Sequence, residues 1–118
     1  MNIRIVKEPV QLEQVRTLAH ETYREMIKGV VDVERGVIAL GGEWHMDANT
    51  VLLSDGSMQQ NVWGFNIYVD EHGDKAIAFV SLINIRPAQG SRNMEILDKG
   101  LRDKIRGIVR KLIPELSL

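Results

Sequence analysis

The stretch NVWGFNIYVDEHGDKAIAFVSLINIR, from Asn61 to Arg86, holds two long apolar runs separated by Asp70-Glu71-His72-Gly73-Asp74. Aspartate at the start of such a break and glycine three residues later suit a type I turn closed by a left-handed glycine, giving a three-residue hairpin loop. Strands are therefore expected over 61–70 and 75–86. The loop pairs Asp70 with Asp74, and so Ile67 with Ile77 and Phe65 with Phe79. One face of the hairpin then carries Trp63, Phe65, Ile67, Val69, Ile77 and Phe79. The other carries Val62, Gly64, Asn66, Tyr68, Ala78, Val80, Asn84 and Arg86. A slip of one residue would mix large and small side chains on both faces, so turn chemistry and packing select the same register.

The flanking segments supply the remaining elements. Residues 2–6 alternate and read as a short strand. Pro9 opens a helix, at a position where its missing N–H does no harm. Leu12, Val15, Leu18, Ala19, Met26 and Ile27 recur near helical spacing, and Gly29 reads as the stop. Two strands, Val30 to Val33 and Val37 to Leu40, flank the turn Glu34-Arg35-Gly36. Gly41-Gly42 marks a bulge or a close backbone approach. Asp47 is expected to cap a short helix through Leu53, which Asp55-Gly56 then ends. Beyond the hairpin, a loop with Gly90 leads to a last helix over 98–113, capped by Asp98 and ended by Pro114. Its apolar face is Leu101, Ile105, Ile108, Val109 and Leu112. The order β-α-β-β-α-β-β-α predicts a single α+β domain over residues 1–118. A mostly antiparallel twisted sheet should carry helices packed mainly on one face.

Bulk composition narrows the function classes. A chain of 118 residues can bury roughly two-thirds of its unfolded surface, so it needs no disulfide or metal to fold. Hydrophobic residues at 44% and charged residues at 26% fit a globular protein. The absence of cysteine excludes disulfide frameworks, thiolate metal sites and thiol catalysis, and suits a reducing cytoplasm. The N-terminus runs straight into charged sequence without a signal-peptide core. No apolar run approaches the roughly 20 residues of a spanning helix, so no membrane partner is expected. Net charge is −1, yet the stretch from Arg86 to Lys111 holds eight Lys/Arg against three Asp/Glu. Such asymmetry suits an anionic partner, or attraction between the two halves or to a second copy.

Three constellations carry chemistry. Were the strand from Val37 to continue to Met46, Glu43, His45 and Asp47 would lie on one side of it, successive ones about 7 Å apart. A histidine flanked by carboxylates gains proton affinity and can serve as acid or base near neutral pH. The bland counterpart is an exposed edge strand with Asp47 as a helix cap. The second constellation ends the long apolar strand: Asn84 and Arg86, followed by Gln89 and Arg92 in a polar loop. Arginine grips a carboxylate or phosphate with two parallel hydrogen bonds, while neighbouring amides add neutral ones. Its counterpart has Arg86 pairing within the chain, with Glu43 or Asp47. Asn66 shares the same hairpin face. The third is a basic stripe on the last helix, Lys99, Arg102, Arg106 and Arg110, whose spacing suits phosphates or simply a solvated face.

The runs Val31-Asp32-Val33-Glu34, Gly41-Gly42-Glu43 with His45 and Asp47, Asp55-Gly56-Ser57, Trp63-Gly64 with Asn66 and Tyr68, and Asn84-Ile85-Arg86-Pro87 with Gln89-Gly90 resemble a family of small bacterial proteins. That family is catalogued only as a domain of unknown function. The resemblance covers about residues 2 to 113 and implies a bacterial cytoplasmic setting. It implies no activity, cofactor or catalytic residue.

The leading expectation is a homodimeric, cytoplasmic protein with a polar pocket for a small anionic or hydrogen-bonding ligand. Arg86 anchors that ligand, and Asn66, Asn84, Gln89 and Arg92 orient it. Three helices are too few to cover both faces of the sheet, which motivates the dimer. One alternative is a small hydrolase using His45 with Glu43 or Asp47, with or without a metal. Another is a nucleic-acid or regulatory partner acting through the basic helix, although few aromatic side chains are placed to stack on bases. No cofactor is expected.

Overall fold

The computed structural model describes residues 2–118. Its longest ladder joins Met26–Asp32 to Val62–Tyr68 in antiparallel register, from Met26 opposite Tyr68 to Asp32 opposite Val62. In chain order the strands are β1 (Ile3–Val6), β2 (Met26–Asp32), β3 (Val37–Gly41), β4 (Val62–Tyr68) and β5 (Ile77–Ala78). The helices are α1 (Leu12–His20), α2 (His45–Ser54) and α3 (Lys99–Leu112). The sheet order is β1-β3-β2-β4-β5 with every neighbouring pair antiparallel. Element order and α+β class are those the sequence predicts.

Several element boundaries differ from the sequence reading, beginning with α1, which opens at Leu12 after Gln11 rather than at Pro9. Helix α1 ends at His20 rather than beyond Ile27, because Arg24 takes φ 67° and its N–H closes on the Ala19 carbonyl at 2.7 Å. Met26 and Ile27 then start β2. Ile27 is buried under either reading, since both periods bring it to the core. Gly29 is no helix stop. It sits opposite Phe65, and a Cβ there would overlap the Phe65 ring, which lies across the bare glycine.

Alternation along the strands divides the core. Ile27, Val31, Ile38, Leu40, Phe65 and Ile67 face α1 and α3, meeting Val15 and Ala19 of the first and Ile105, Val109 and Leu112 of the second. Val30, Val37, Ala39 and Val62 face the other way, against Ala48 and Leu52 of α2. Burying a large aliphatic or aromatic side chain contributes about 1.5–3 kcal/mol, so the first and larger cluster dominates stability. Two of the three helices therefore lie on one face. The third covers only the part of the second face over β1, β3 and the ends of β2 and β4.

The hairpin keeps its expected register, Ile67 opposite Ile77 and Asn66 opposite Ala78, but is shorter than 75–86. Its loop opens at Tyr68 and Ala76, and a 3-10 turn over Gly73–Lys75 replaces the pairing of Asp70 with Asp74. After Ala78 the chain leaves β4. Val80 bridges Glu95 instead, and Leu82–Asn84 form another 3-10 turn. The side chain of Asn84, fully buried, takes over the vacated edge. Its Oδ1 accepts from the Gly64 N–H at 2.8 Å, and its Nδ2 donates to the carbonyls of Gly64 at 3.0 Å and Met94 at 3.1 Å. A carboxamide has the same donor and acceptor as a peptide unit, so it can serve as one residue of a strand. Gly64 is the residue that permits this: a Cβ there would come within 2.5 Å of the Ser81 Cβ.

Replacing Asn84 with Ala leaves the N–H and C=O of Gly64 buried and unpaired. We expect Asn84→Ala to lower unfolding stability by about 2–4 kcal/mol in urea denaturation, from the desolvation of those groups. A loss below about 0.5 kcal/mol would show that the amide does not close the edge.

Candidate functional site

Gly41 and Gly42 take φ values of 114° and 88°, a conformation that breaks strand alternation and turns the chain off the sheet. The strand from Val37 therefore stops at Gly41, and Glu43, His45 and Asp47 are not alternate residues of one strand. His45 begins α2, and Asp47 occupies its third position rather than the cap. There the Asp47 carboxylate accepts from the Trp44 N–H at 3.3 Å. A carboxylate in a first helical turn is favourably placed against the helix dipole. Glu43 is exposed, and its backbone carbonyl accepts from the Tyr23 hydroxyl at 2.6 Å.

His45 is 7% exposed, and its Nε2 lies 2.8 Å from the Phe65 carbonyl oxygen in the middle of β4. A carbonyl only accepts, so Nε2 carries the hydrogen and the neutral ring has a bare Nδ1. Burial pushes the ring below the ordinary histidine value; the Phe65 carbonyl opposes this, nearby Lys28 reinforces it, and Asn66 opposes it. At neutral pH the imidazole is therefore uncharged.

The ring forms one side of a hollow of about 460 Å³ on the second face of the sheet. Lys28 and Asn66, opposite each other on β2 and β4, belong to its lining. Trp44 and Met46 come from the start of α2, and Leu82 and Met94 from the segment that leaves β4. Those four are 65%, 53%, 67% and 42% exposed, so the rim is apolar and open. Among the lining residues there is no acidic side chain, and among the described residues no carboxylate forms an ion pair with Lys28. Asn66 is 9% exposed; its Nδ2 donates weakly to the Val80 carbonyl at 3.4 Å, and its Oδ1 is buried without a partner. The Lys28 ammonium lies 5.4 Å from the Tyr23 ring centre, so the combination is a mostly apolar depression with one cation lacking a carboxylate partner, one neutral histidine and one unmet acceptor. Such a lining, with a few placed polar groups, is typical of ligand sites.

Of the five residues expected to bind a ligand the hollow gathers Asn66 alone, and of the expected catalytic trio His45 alone. Asn84 is committed to the β4 edge. Arg86 is half-buried and donates to the backbone carbonyls of Ile83 at 3.0 Å, Gln59 at 2.6 Å and Val62, with its guanidinium 4.4 Å from the Trp63 ring centre. Burial lowers its pKa from the usual arginine value. Its donors thus serve the chain, and neither Glu43 nor Asp47 is its partner. Gln89 and Arg92 lie at a separate depression of about 290 Å³ beside Trp63 and the start of α3. Three side chains of the basic stripe are paired with carboxylates, Lys99 with Asp103 at 3.1 Å, Arg102 with Glu95 at 3.8 Å, and Arg106 with Asp74 and Asp103 at 3.4 Å, while Arg110 donates to the Leu118 backbone oxygen at 3.3 Å. Among the described residues, no cluster of three or more His, Asp or Glu is arranged to hold a metal ion.

Sequence reasoning missed Lys28, Trp44, Met46, Leu82 and Met94. Lys28 was hidden by the helical reading of its segment. A period-two reading of Met26, Lys28, Val30 and Asp32 against Ile27, Gly29 and Val31 places it on the same face as Asn66.

Residues 4–112 match the family model described as "Protein of unknown function (DUF5674)". The chain belongs to that family. No curated protein and no solved structure matches it. No helix among the described residues is long and apolar enough to cross a membrane.

The buried neutral His45 links stability to pH. Its folded pKa lies below the ordinary value of about 6.5, so the unfolded chain binds the proton first. Its contribution is intact above that value and is lost as pH falls toward the folded pKa, at no more than about 1.4 kcal/mol per pH unit. Between pH 7.5 and 5, wild type should lose stability more steeply than His45→Gln in matched urea titrations. Parallel curves for the two proteins would contradict the burial of an uncharged ring.

Proposed function

We propose that this member of the DUF5674 family is a small-molecule binding protein whose ligand enters the hollow between α2 and the open half of the second sheet face. The observation that carries this reading is Lys28: a cation without an acidic partner, in an apolar depression lined by no carboxylate. An anion there meets the one charge in the lining, and an apolar body covers Trp44, Met46, Leu82 and Met94. The anion is thus held by Lys28 and Asn66 rather than by Arg86, whose donors are occupied by backbone. The cysteine-free composition and the family likeness support a bacterial cytoplasmic setting.

The exposed rim also supports a homodimer. Trp44 and Leu82 are each about two-thirds exposed, and large contiguous apolar patches mark interaction sites. Two copies meeting rim to rim would shelter the hollow without filling it.

Three measurements test these readings. The fluorescent aryl sulfonate 8-anilinonaphthalene-1-sulfonate should bind with one site per chain. Amide shifts in NMR spectra should centre on Lys28, Asn66 and Leu82, and Lys28→Met should weaken binding about tenfold, the equivalent of roughly 1.4 kcal/mol. Shifts centred elsewhere would remove the ligand reading. For the dimer, sedimentation should give twice the chain mass for wild type and one chain mass for Leu82→Asp; a monomeric wild type ends that reading.

A further inference from the structure

Lys28, His45 and Asn66 reach the hollow from three different elements and leave one hydrogen-bond acceptor unmet. The Phe65 carbonyl already takes the Nε2 hydrogen of His45, and the Asn66 side chain lies beside the ring with its Oδ1 buried and without a donor. A neutral imidazole has one N–H and a charged one has two, so the uncharged ring can serve only one neighbouring acceptor. What keeps the ring neutral is its burial and the nearby ammonium of Lys28. An anion seated against Lys28 would cancel that repulsion and add an attraction of its own.

The charged groups around His45 allow this. Lys28 approaches from β2, and β4 contributes only the uncharged Asn66 and the Phe65 carbonyl. The segment leaving β4 contributes Ser81, Leu82, Ile83 and, further along, Met94, none of them titratable. On the ring's own side, the Asp47 carboxylate bonds the Trp44 N–H, and Glu43 is exposed outside the lining. The ring therefore faces one positive group, and no negative group lines the hollow with it.

Resting on the ligand-binding reading above, we propose that the ligand is an amphiphilic carboxylate whose head sits between Lys28 and His45 and whose binding draws one proton from solvent onto the His45 ring. The charged ring keeps its N–H to the Phe65 carbonyl. Its second N–H goes to the carboxylate or to the Asn66 oxygen. No bond is made or broken besides those to the transferred proton, and the complex gains one proton per ligand. The apolar part lies on Trp44, Met46, Leu82 and Met94. A cavity of about 460 Å³ suits a chain of moderate length or a fused ring pair. Both sources share the same head chemistry.

The test uses sodium decanoate for the chain, 1-naphthylacetate for the ring, and decanol as the uncharged counterpart. Calorimetric titrations at pH 7.5 in two buffers of different ionisation enthalpy give the number of protons taken up on binding. For the better carboxylate we expect uptake approaching one proton, affinity rising by up to tenfold per unit fall in pH, and at least tenfold weaker binding of decanol. Stronger binding of decanoate identifies the chain, and stronger binding of 1-naphthylacetate the ring; either supports the shared head chemistry. His45→Gln should bind with no proton uptake, and Asn66→Val with reduced uptake. The wild-type measurement decides the matter even if a variant fails to fold. A carboxylate bound at the hollow with no proton uptake between pH 6 and 8 would overturn the coupling and leave the binding reading intact. Binding of neither the aryl sulfonate nor either carboxylate would end both.

Discussion

Gly64 has β2 on one side and no strand on the other, and the carboxamide of Asn84 fills that empty place. Everything distinctive about this end of the molecule depends on that substitution. A backbone N–H and C=O buried without partners would each carry a desolvation cost of about 1–3 kcal/mol, enough to hold an ordinary strand against β4. With the amide supplying both bonds, the chain beyond Ala78 is free to swing outward and pair with Glu95 instead. The outward path puts Val80, Ser81, Leu82 and Met94 where they form a wall. A regular fifth strand would have continued the sheet and left no hollow beside Asn66.

The second requirement is unequal cover. Helices α1 and α3 bury one face of the sheet, whereas α2 has ten residues and reaches only part of the other. Its first turn brings His45 to the boundary between the covered and uncovered parts. That boundary position explains a histidine buried enough to stay uncharged and yet part of the lining of the open hollow. Lys28 and Asn66 lie just beyond the edge of α2, where a fully covered face would require apolar residues.

Much of this was legible in the sequence. The hairpin register was fixed by the alternation of large and small residues around Ile67 and Ile77, and α3 by its cap at Asp98 and its apolar spacing. The confusion at Met26 and Ile27 arose because these positions satisfy a helical period from Leu18 and Ala19 and a strand period toward Val31. The left-handed turn at Arg24, which decides between them, has no composition signal. Asn84 and Arg86 read as polar residues ending an apolar strand, but their partners are backbone groups of Gln59, Val62, Ile83, Gly64 and Met94. Such partnerships depend on where a distant strand edge lies, and a linear pattern does not contain that. Glu43 and Asp47 failed to join His45 for a similar reason: two glycines with positive φ ended β3 before the alternation reached them.

Arg86 also governs how the molecule accommodates change. Its guanidinium ties Gln59, Ile83 and Val62 together, and its own N–H and C=O pair with Ser91 at 2.6 and 3.1 Å. Residues 87–90 therefore form a small closed excursion whose two ends are fastened at the same point. Within it the Gln89 side chain donates to the Gln60 carbonyl at 3.0 Å, so a change at Gln89 reaches the residues that precede β4, whereas exposed Pro87, Ala88 and Gly90 make no such bond. The chain thus carries a short exposed segment outside the lining of the hollow, and its tip at Pro87 and Ala88 is a place where a reporter can be inserted while the hollow keeps its shape.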